Sequence, residues 1–100
     1  MIMNIVKNLE NEILTVALEG RLDTLTAPQL DAELQNSLQG VKSLVFDFAK
    51  LDYISSAGLR VLLTSQKTMN KQGSMVIKNA CPEIKEVFNI TGFCDILTIE

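Results

Sequence analysis

The spacing of apolar residues along this chain changes repeatedly between every second position and every third or fourth. A spacing of two is typical of a half-buried strand, and a spacing near 3.6 is typical of an amphipathic helix. Residues 13–19 alternate strictly, and the polar stretch 8–11 before them predicts a hairpin with an earlier strand over residues 3–7. Residues 44–48 are almost continuously apolar, which favours a central strand covered on both faces.

Three amphipathic helices are predicted, at residues 26–40, 57–71 and 82–92. The first is expected to begin at Thr26, because Gln29 three positions later fits a capping box. Gly40 follows its last apolar position and is a favoured residue just past a helix end. Helices of this length, each placed after a strand, indicate crossover connections between parallel strands.

A further strand over residues 75–77 lies between the second and third helices, and residues 96–99 form either a last strand or a short helical tail. Alternating strands and helices give a sheet that is parallel over its crossover units. The sequence therefore predicts an α/β fold in one domain, residues 1–100. Its sheet is mixed, mostly parallel and four- to five-stranded, with helices packed against it.

Charge and hydropathy exclude several classes of function. The chain has 100 residues, a net charge of −3 and a pI near 4.9, so it should repel nucleic acid and anionic membrane surfaces. No apolar run approaches the roughly 20 residues needed to span a bilayer. The first seven residues lack the layout of a signal peptide. We expect a cytoplasmic protein with neither a nucleic-acid nor a membrane partner.

Residues that could support catalysis are few. The chain has no histidine, and no glycine-rich phosphate-binding loop stands between a strand and a helix. Asp23, Asp47 and Asp52 could converge at the carboxyl ends of strands, but a solvated or capping role is favoured for each, which leaves a small hydrolase only as an alternative. Cys81 and Cys94 match no zinc or redox motif and are expected to be buried thiols. No cofactor, metal or catalytic residue is predicted.

One junction is more informative. Residues 51–60 connect the central strand to the second helix and place Ser55 and Ser56 where the first helical amides have no partner within the helix. Either serine could simply be the N-cap, contributing about 1 kcal/mol. Gly58 lies early in the helix, where glycine costs about 1 kcal/mol relative to alanine. Its missing side chain would let another backbone or a partner approach closely.

The segment 52–63, with its core Ile-Ser-Ser-Ala-Gly-Leu-Arg-Val-Leu-Leu, resembles the phosphorylation-site region of bacterial anti-sigma factor antagonists, which belong to the STAS domain family. Three further stretches resemble that family, at residues 19–30, 45–48 and 90–94. The resemblance covers essentially the whole chain in the same order of elements, and it implies a STAS-like single domain. The alternatives within the family are an accessory subunit of a lipid-transport complex and a component of a stress-signalling complex.

The resemblance implies a regulatory switch and not an enzyme. In such proteins the unphosphorylated domain binds an anti-sigma factor that is also its serine kinase, and a separate serine phosphatase reverses the phosphorylation. The phosphoacceptor falls on Ser56. The family commonly has aspartate immediately before the acceptor, and here that position is Ser55, which is therefore the alternative acceptor. The residues expected to bind the partner are Asp23, Thr24, Ser55, Ser56, Gly58, Arg60 and Thr64.

Overall fold

Four strands form the sheet at the centre of the computed structural model, which describes residues 3–100. They are β1 (Asn4–Glu10), β2 (Ile13–Leu22), β3 (Ser43–Ile54) and β4 (Ser74–Lys78), side by side in that order. β1 is antiparallel to β2, whereas the β2–β3 and β3–β4 pairs are parallel. The mixed, mostly parallel α/β sheet predicted from the sequence is confirmed.

Three helices connect and follow these strands: α1 (Ala27–Ser37), α2 (Ser56–Asn70) and α3 (Pro82–Thr91). Gly92 ends α3 with a φ of +80°, and one turn of 3-10 helix follows at Phe93–Asp95. The tail then returns to the sheet, where Ile99 forms a single parallel bridge with Ile77. Residues 96–99, for which the sequence left two alternatives, are thus strand-like at one residue. Within residues 3–100, no helix is both long and apolar enough to cross a bilayer.

The hairpin turn is shorter than predicted. β1 continues to Glu10, and only Asn11 and Glu12 turn the chain, with φ values of +54° and +67°. Two consecutive residues at positive φ are the geometry of a tight two-residue hairpin. Residues 8–10, predicted as part of the turn, therefore belong to the strand because the polar residues sit on an edge strand that faces water.

One face of the sheet is buried and the other is half-exposed. The buried set on β2, β3 and β4 comprises Leu14, Val16, Leu18, Leu44, Phe46, Phe48, Met75 and Ile77. Between them on the opposite face, Val45, Asp47 and Val76 are only half-buried. The prediction that the central strand is covered on both faces is wrong. Each parallel connection moves one place in the same direction across the sheet, so right-handed crossovers put α1 and α2 on one face.

β3 is longer than the predicted strand over residues 44–48, because it continues to Ile54. Its pairing with β2 shifts register twice, and each shift places an extra residue on β3. Such bulges break the strict alternation of inward and outward side chains. Leu51 and Ile54 are both buried as a result, while Tyr53 between them is exposed. The strand therefore leads directly into α2 without the loop that the sequence suggested.

Two smaller expectations were also wrong. α1 ends at Ser37 rather than Gly40, because Leu38 closes the last turn and Gly40 adopts a φ of +80° in the following loop. The thiols are not both buried: Cys81 is half-buried before α3, and Cys94 is exposed in the 3-10 turn, where the preceding Phe93 packs against the core instead.

Candidate functional site

A single residue, Ser55, separates the last residue of β3 from the first residue of α2. Its backbone is extended, its amide donates to the carbonyl oxygen of Leu22 at 2.9 Å, and its carbonyl oxygen accepts from the amide of Leu59 at 3.0 Å. The start of α2 is thereby tied to the end of β2 by backbone hydrogen bonds. Because Ser56 follows Ser55 directly, these bonds also fix its position relative to the ends of β2 and β3.

The two serine hydroxyls at this junction differ in their surroundings. Ser56 is exposed, whereas the Oγ of Ser55 is shielded from solvent and has no hydrogen-bond partner among the described residues. Ser55 occupies the N-cap position of α2, yet its side chain forms no capping hydrogen bond. The side-chain capping expected of one of these serines therefore does not occur at Ser55. Ser56 is the serine of the pair that presents its side chain at the surface.

The loop between β2 and α1 lies beside this junction and is held by its own side chains. The carboxylate of Asp23 accepts hydrogen bonds from the amides of Leu25 at 3.0 Å and Thr26 at 3.1 Å. The hydroxyl of Thr26 donates to the carbonyl oxygen of Arg21 at 2.7 Å and accepts from the amide of Asp23 at 2.9 Å. Asp23 thus fixes the loop internally, and no hydrogen bond joins its carboxylate to α2 among the described residues.

These contacts overturn the predicted capping box. Thr26 has a helical backbone, with a φ of −97° and a ψ of −22°, and its side chain caps no amide of α1. The side chain of Gln29 instead donates to the carbonyl oxygen of Met3 at 3.3 Å. The hydroxyl of Thr26 already bonds to the backbone of Arg21 and Asp23 in the loop, so it does not cap the helix. Short polar side chains often form such local hydrogen bonds to nearby backbone groups.

The pKa of the Asp23 carboxyl group is lower than that of an ordinary aspartate. Desolvation alone would raise its pKa, but hydrogen bonds from the amides of Thr26 and Leu25, with a smaller contribution from Arg21, hold the pKa below 3.8. The guanidinium of Arg21 lies 3.7 Å from this carboxylate and stacks 4.1 Å from the centre of the Tyr53 ring. The loop and the end of β3 are therefore joined by an ion pair and a cation–π contact.

Two apolar side chains near the junction face solvent. Leu25 is 77% exposed and Tyr53 is 41% exposed. Neither residue was predicted as part of the site, because an apolar residue in a loop or at a strand end carries no pattern that reveals its exposure. Single exposed apolar residues are common on protein surfaces, so Leu25 and Tyr53 acquire meaning only from their position beside the Ser55–Ser56 junction.

An open depression of about 250 Å³ lies between the first turns of α1 and α2. It is lined by Thr24, Ala27, Pro28, Asp31, Ala57, Arg60 and Val61. Asp31 also borders a second groove, of about 440 Å³, which runs farther between the two helices and includes Thr64. The depression and the groove together form the α1–α2 surface, which begins next to Ser56. The predicted site residues Thr24, Arg60 and Thr64 lie along it.

Gly58 packs closely against the core at the start of α2. It is buried, and a β-carbon built on it would lie 2.6 Å from Cγ of Leu22 and 3.0 Å from Cγ1 of Ile54. The close approach that the sequence indicated is therefore made by core side chains of the same domain. Glycine at this position lets α2 start directly against the ends of β2 and β3, and the partner contact of Gly58 stays a prediction.

The acidic residues considered for catalysis do not converge. Asp47 lies in the middle of β3, where it accepts hydrogen bonds at 3.0 Å from the side-chain amide of Asn79 and from the amide of Ala49. The hydrogen bond from Asn79, then that from Ala49, holds the pKa of Asp47 below 3.8. Asp52 is exposed near the end of β3. Within residues 3–100, no group of three or more acidic, histidine or cysteine side chains could hold a metal ion.

Comparison with known proteins gives the family. Residues 4–100 match the model of the STAS domain. BtrV of Bordetella bronchiseptica, which carries the name of an anti-sigma factor antagonist, is 40% identical over 89 residues, covering 87% of this chain and 77% of BtrV. The anti-sigma-B factor antagonist of Bacillus subtilis is 34% identical over 95 residues, covering 94% of this chain and 86% of that protein.

A solved structure has the same fold. The Bacillus cell fate determinant SpoIIAA, in its phosphorylated form, superposes with a TM-score of 0.76 at 20% identity, covering 97% of this chain and 91% of SpoIIAA. The fold predicted from the sequence and the match along nearly the whole chain agree. This chain belongs to the STAS domain family.

Proposed function

We propose that this protein is an anti-sigma factor antagonist controlled by phosphorylation of Ser56. The unphosphorylated form binds an anti-sigma factor that is also a serine kinase, and binding releases a sigma factor. Phosphorylation ends the binding, and a separate serine phosphatase restores it. One observation carries the proposal: an exposed serine is the first residue of α2, in a chain 40% identical to a protein that bears this name.

The position of Ser56 suits a phosphate that leaves the domain folded. A phosphoserine adds about −1.5 to −2 charges at neutral pH. The first turn of a helix attracts an anion through its free amides and its dipole, and the first turn of α2 contains no acidic residue. Since Ser56 is exposed, the phosphate also displaces no core side chain. Any large effect of phosphorylation must therefore arise at the partner interface.

The surface around Ser56 supports this interface. Thr24, Arg60 and Thr64 lie along the α1–α2 surface, and the apolar Leu25 stands out from the neighbouring loop. Docking a partner here would bury the phosphate, which costs desolvation energy unless the partner supplies matching cations. A penalty of about 3–4 kcal/mol would weaken binding by two to three decades.

The same geometry favours Ser56 over Ser55 as the acceptor. A kinase must reach the hydroxyl oxygen, and the Oγ of Ser55 is shielded from solvent. Phosphate on Ser55 would require the start of α2 to move away from Leu22, whose carbonyl holds the Ser55 amide. Asp23 supports the interface indirectly in this proposal, by fixing the loop that presents Thr24 and Leu25.

The test uses purified protein and the anti-sigma factor kinase encoded in the same genome, with binding measured by calorimetry and phosphorylation by mass spectrometry. Ser56→Ala should bind but take up no phosphate. Ser56→Asp should bind at least about ten times more weakly, with a melting temperature within about 2 °C of wild type. Ser55→Ala is the matched control and should be phosphorylated normally. Undiminished labelling of Ser56→Ala, or wild-type affinity of Ser56→Asp, would contradict the proposal.

A further inference from the structure

Arg60 lies one helical turn after Ser56 on α2, and both side chains are exposed. The ion pairs within residues 3–100 are Lys7–Glu33, Arg21–Asp23 and Lys78–Glu100. Arg60 takes part in none of them, although Asp31 borders the same depression. A cation without an ionic partner in the described part of the chain thus stands beside the proposed phosphoacceptor.

We propose that Arg60 forms an ion pair with the phosphate of phosphorylated Ser56. The inference rests on the proposed phosphorylation and adds a role for a second residue. Before phosphorylation, Arg60 offers its charge to an acidic group of the partner. After phosphorylation, the guanidinium is held by the phosphate on its own helix. The modification therefore adds a negative charge to the docking surface and also withdraws a positive one.

Helix geometry supports the pairing. Residues four apart are rotated by about 400°, so they lie on the same side of the helix about 6 Å apart along its axis. An anion placed four residues before a cation is the more favourable order, because each charge then also interacts well with the helix dipole. The guanidinium can donate two parallel hydrogen bonds to phosphate oxygens. From Ser55, five residues before Arg60, the rotation is about 500°, which places the two side chains on different sides.

The other charged groups near the phosphate are few. Asp31 on α1 lies across the depression, and Asp52 is exposed before the end of β3. Arg21 and Asp23 in the neighbouring loop are already paired with each other. Lys67 is exposed on α2 but lies eleven residues after Ser56, about 16 Å along the axis, which exceeds the screening length of about 8 Å at physiological salt. Arg60 is therefore the cation whose removal should change the pKa of the phosphate.

The experiment places phosphoserine at position 56 during translation, so that no kinase is needed, and follows the second ionisation of the phosphate by phosphorus NMR. A nearby cation favours the dianion and lowers its pKa. Arg60→Gln should raise the phosphate pKa by about 0.3–0.5, as expected for an exposed ion pair. Arg60→Lys should retain most of the lowering, and Lys67→Gln, the matched control, should leave the pKa unchanged.

Equal phosphate pKa values in the wild-type and Arg60→Gln proteins would overturn the pairing, and so would an equal rise in the Lys67→Gln protein. Neither result depends on a partner. The proposed function is tested on the same phosphorylated samples by calorimetry with the anti-sigma factor. Unchanged affinity there overturns the proposed function and leaves the ion pair standing, so the two failures are distinguishable.

Discussion

Replacing Gly58 with alanine tests whether this glycine serves packing within the domain or contact with a partner. The new β-carbon would lie 2.6 Å from Cγ of Leu22 and 3.0 Å from Cγ1 of Ile54, whereas carbons in ordinary contact are about 3.5–4.0 Å apart. Leu22 and Ile54 are 0% and 4% exposed, so neither can easily move away. Overpacking of this kind costs about 1–3 kcal/mol.

The opposing effect is smaller. Alanine is better than glycine inside a helix by at most about 1 kcal/mol, and less in the first turn. The expected result for Gly58→Ala is a net loss of about 1 kcal/mol in the free energy of unfolding, or a melting temperature about 4–8 °C lower for a domain of this size. Thermal and urea unfolding, followed by circular dichroism, measure it.

The Leu22→Ala background provides the control. Removing the leucine side chain removes the atom at 2.6 Å, so adding Gly58→Ala to that variant should cost less than it does in wild type. A melting temperature of Gly58→Ala equal to or above that of wild type would refute the packing argument. Weakened partner binding in a Gly58→Ala protein of unchanged stability would restore the contact role predicted from the sequence.

Two other predictions concern polar groups. Ser55→Ala should leave the melting temperature unchanged or raise it, because the shielded Oγ caps no amide; a fall of more than about 4 °C would contradict this. Asp47→Ala should lose about 1 kcal/mol at pH 7, since Asn79 and Ala49 lose their acceptor. The pKa of Asp47 is lowered by folding, so its contribution is present above pH 3.8 and is lost as pH falls through the folded pKa. Denaturation curves of variant and wild type should therefore converge in acid and differ at neutral pH.

The regular parts of the fold could be predicted from the sequence because each buries one face at a fixed spacing. The alternation over residues 13–19 corresponds to the first seven of the ten residues of β2, and the helical spacing over 57–71 corresponds to α2 within one residue at each end. The second half of β3 could not be predicted. Its bulges place Leu51 and Ile54 three residues apart on the buried side, a spacing that is typical of a helix and not of a strand.

The site was predicted in part for a similar reason. Residue types and family resemblance pointed to Ser56, but the contrast between its exposure and the shielded Oγ of Ser55 depends on how α2 meets β2. That meeting is fixed by the backbone hydrogen bond from Ser55 to Leu22, two residues far apart in sequence. A pattern such as Thr26 with Gln29 likewise fits a capping box, although Asp23 before it gives the loop a better set of hydrogen bonds.

The parallel pairing of β2 and β3 makes this position suitable for the proposed switch. Their carboxyl ends meet at one edge of the sheet, so α1 and α2, which follow them, both begin there. Free amides at the first turn of α2, together with Arg60, make this edge tolerant of negative charge. A phosphate on Ser56 should therefore change affinity without a matching loss of stability. Because the same edge presents Leu25 and the α1–α2 surface, the proposed modification would reach the whole proposed docking face while the core behind it stays packed.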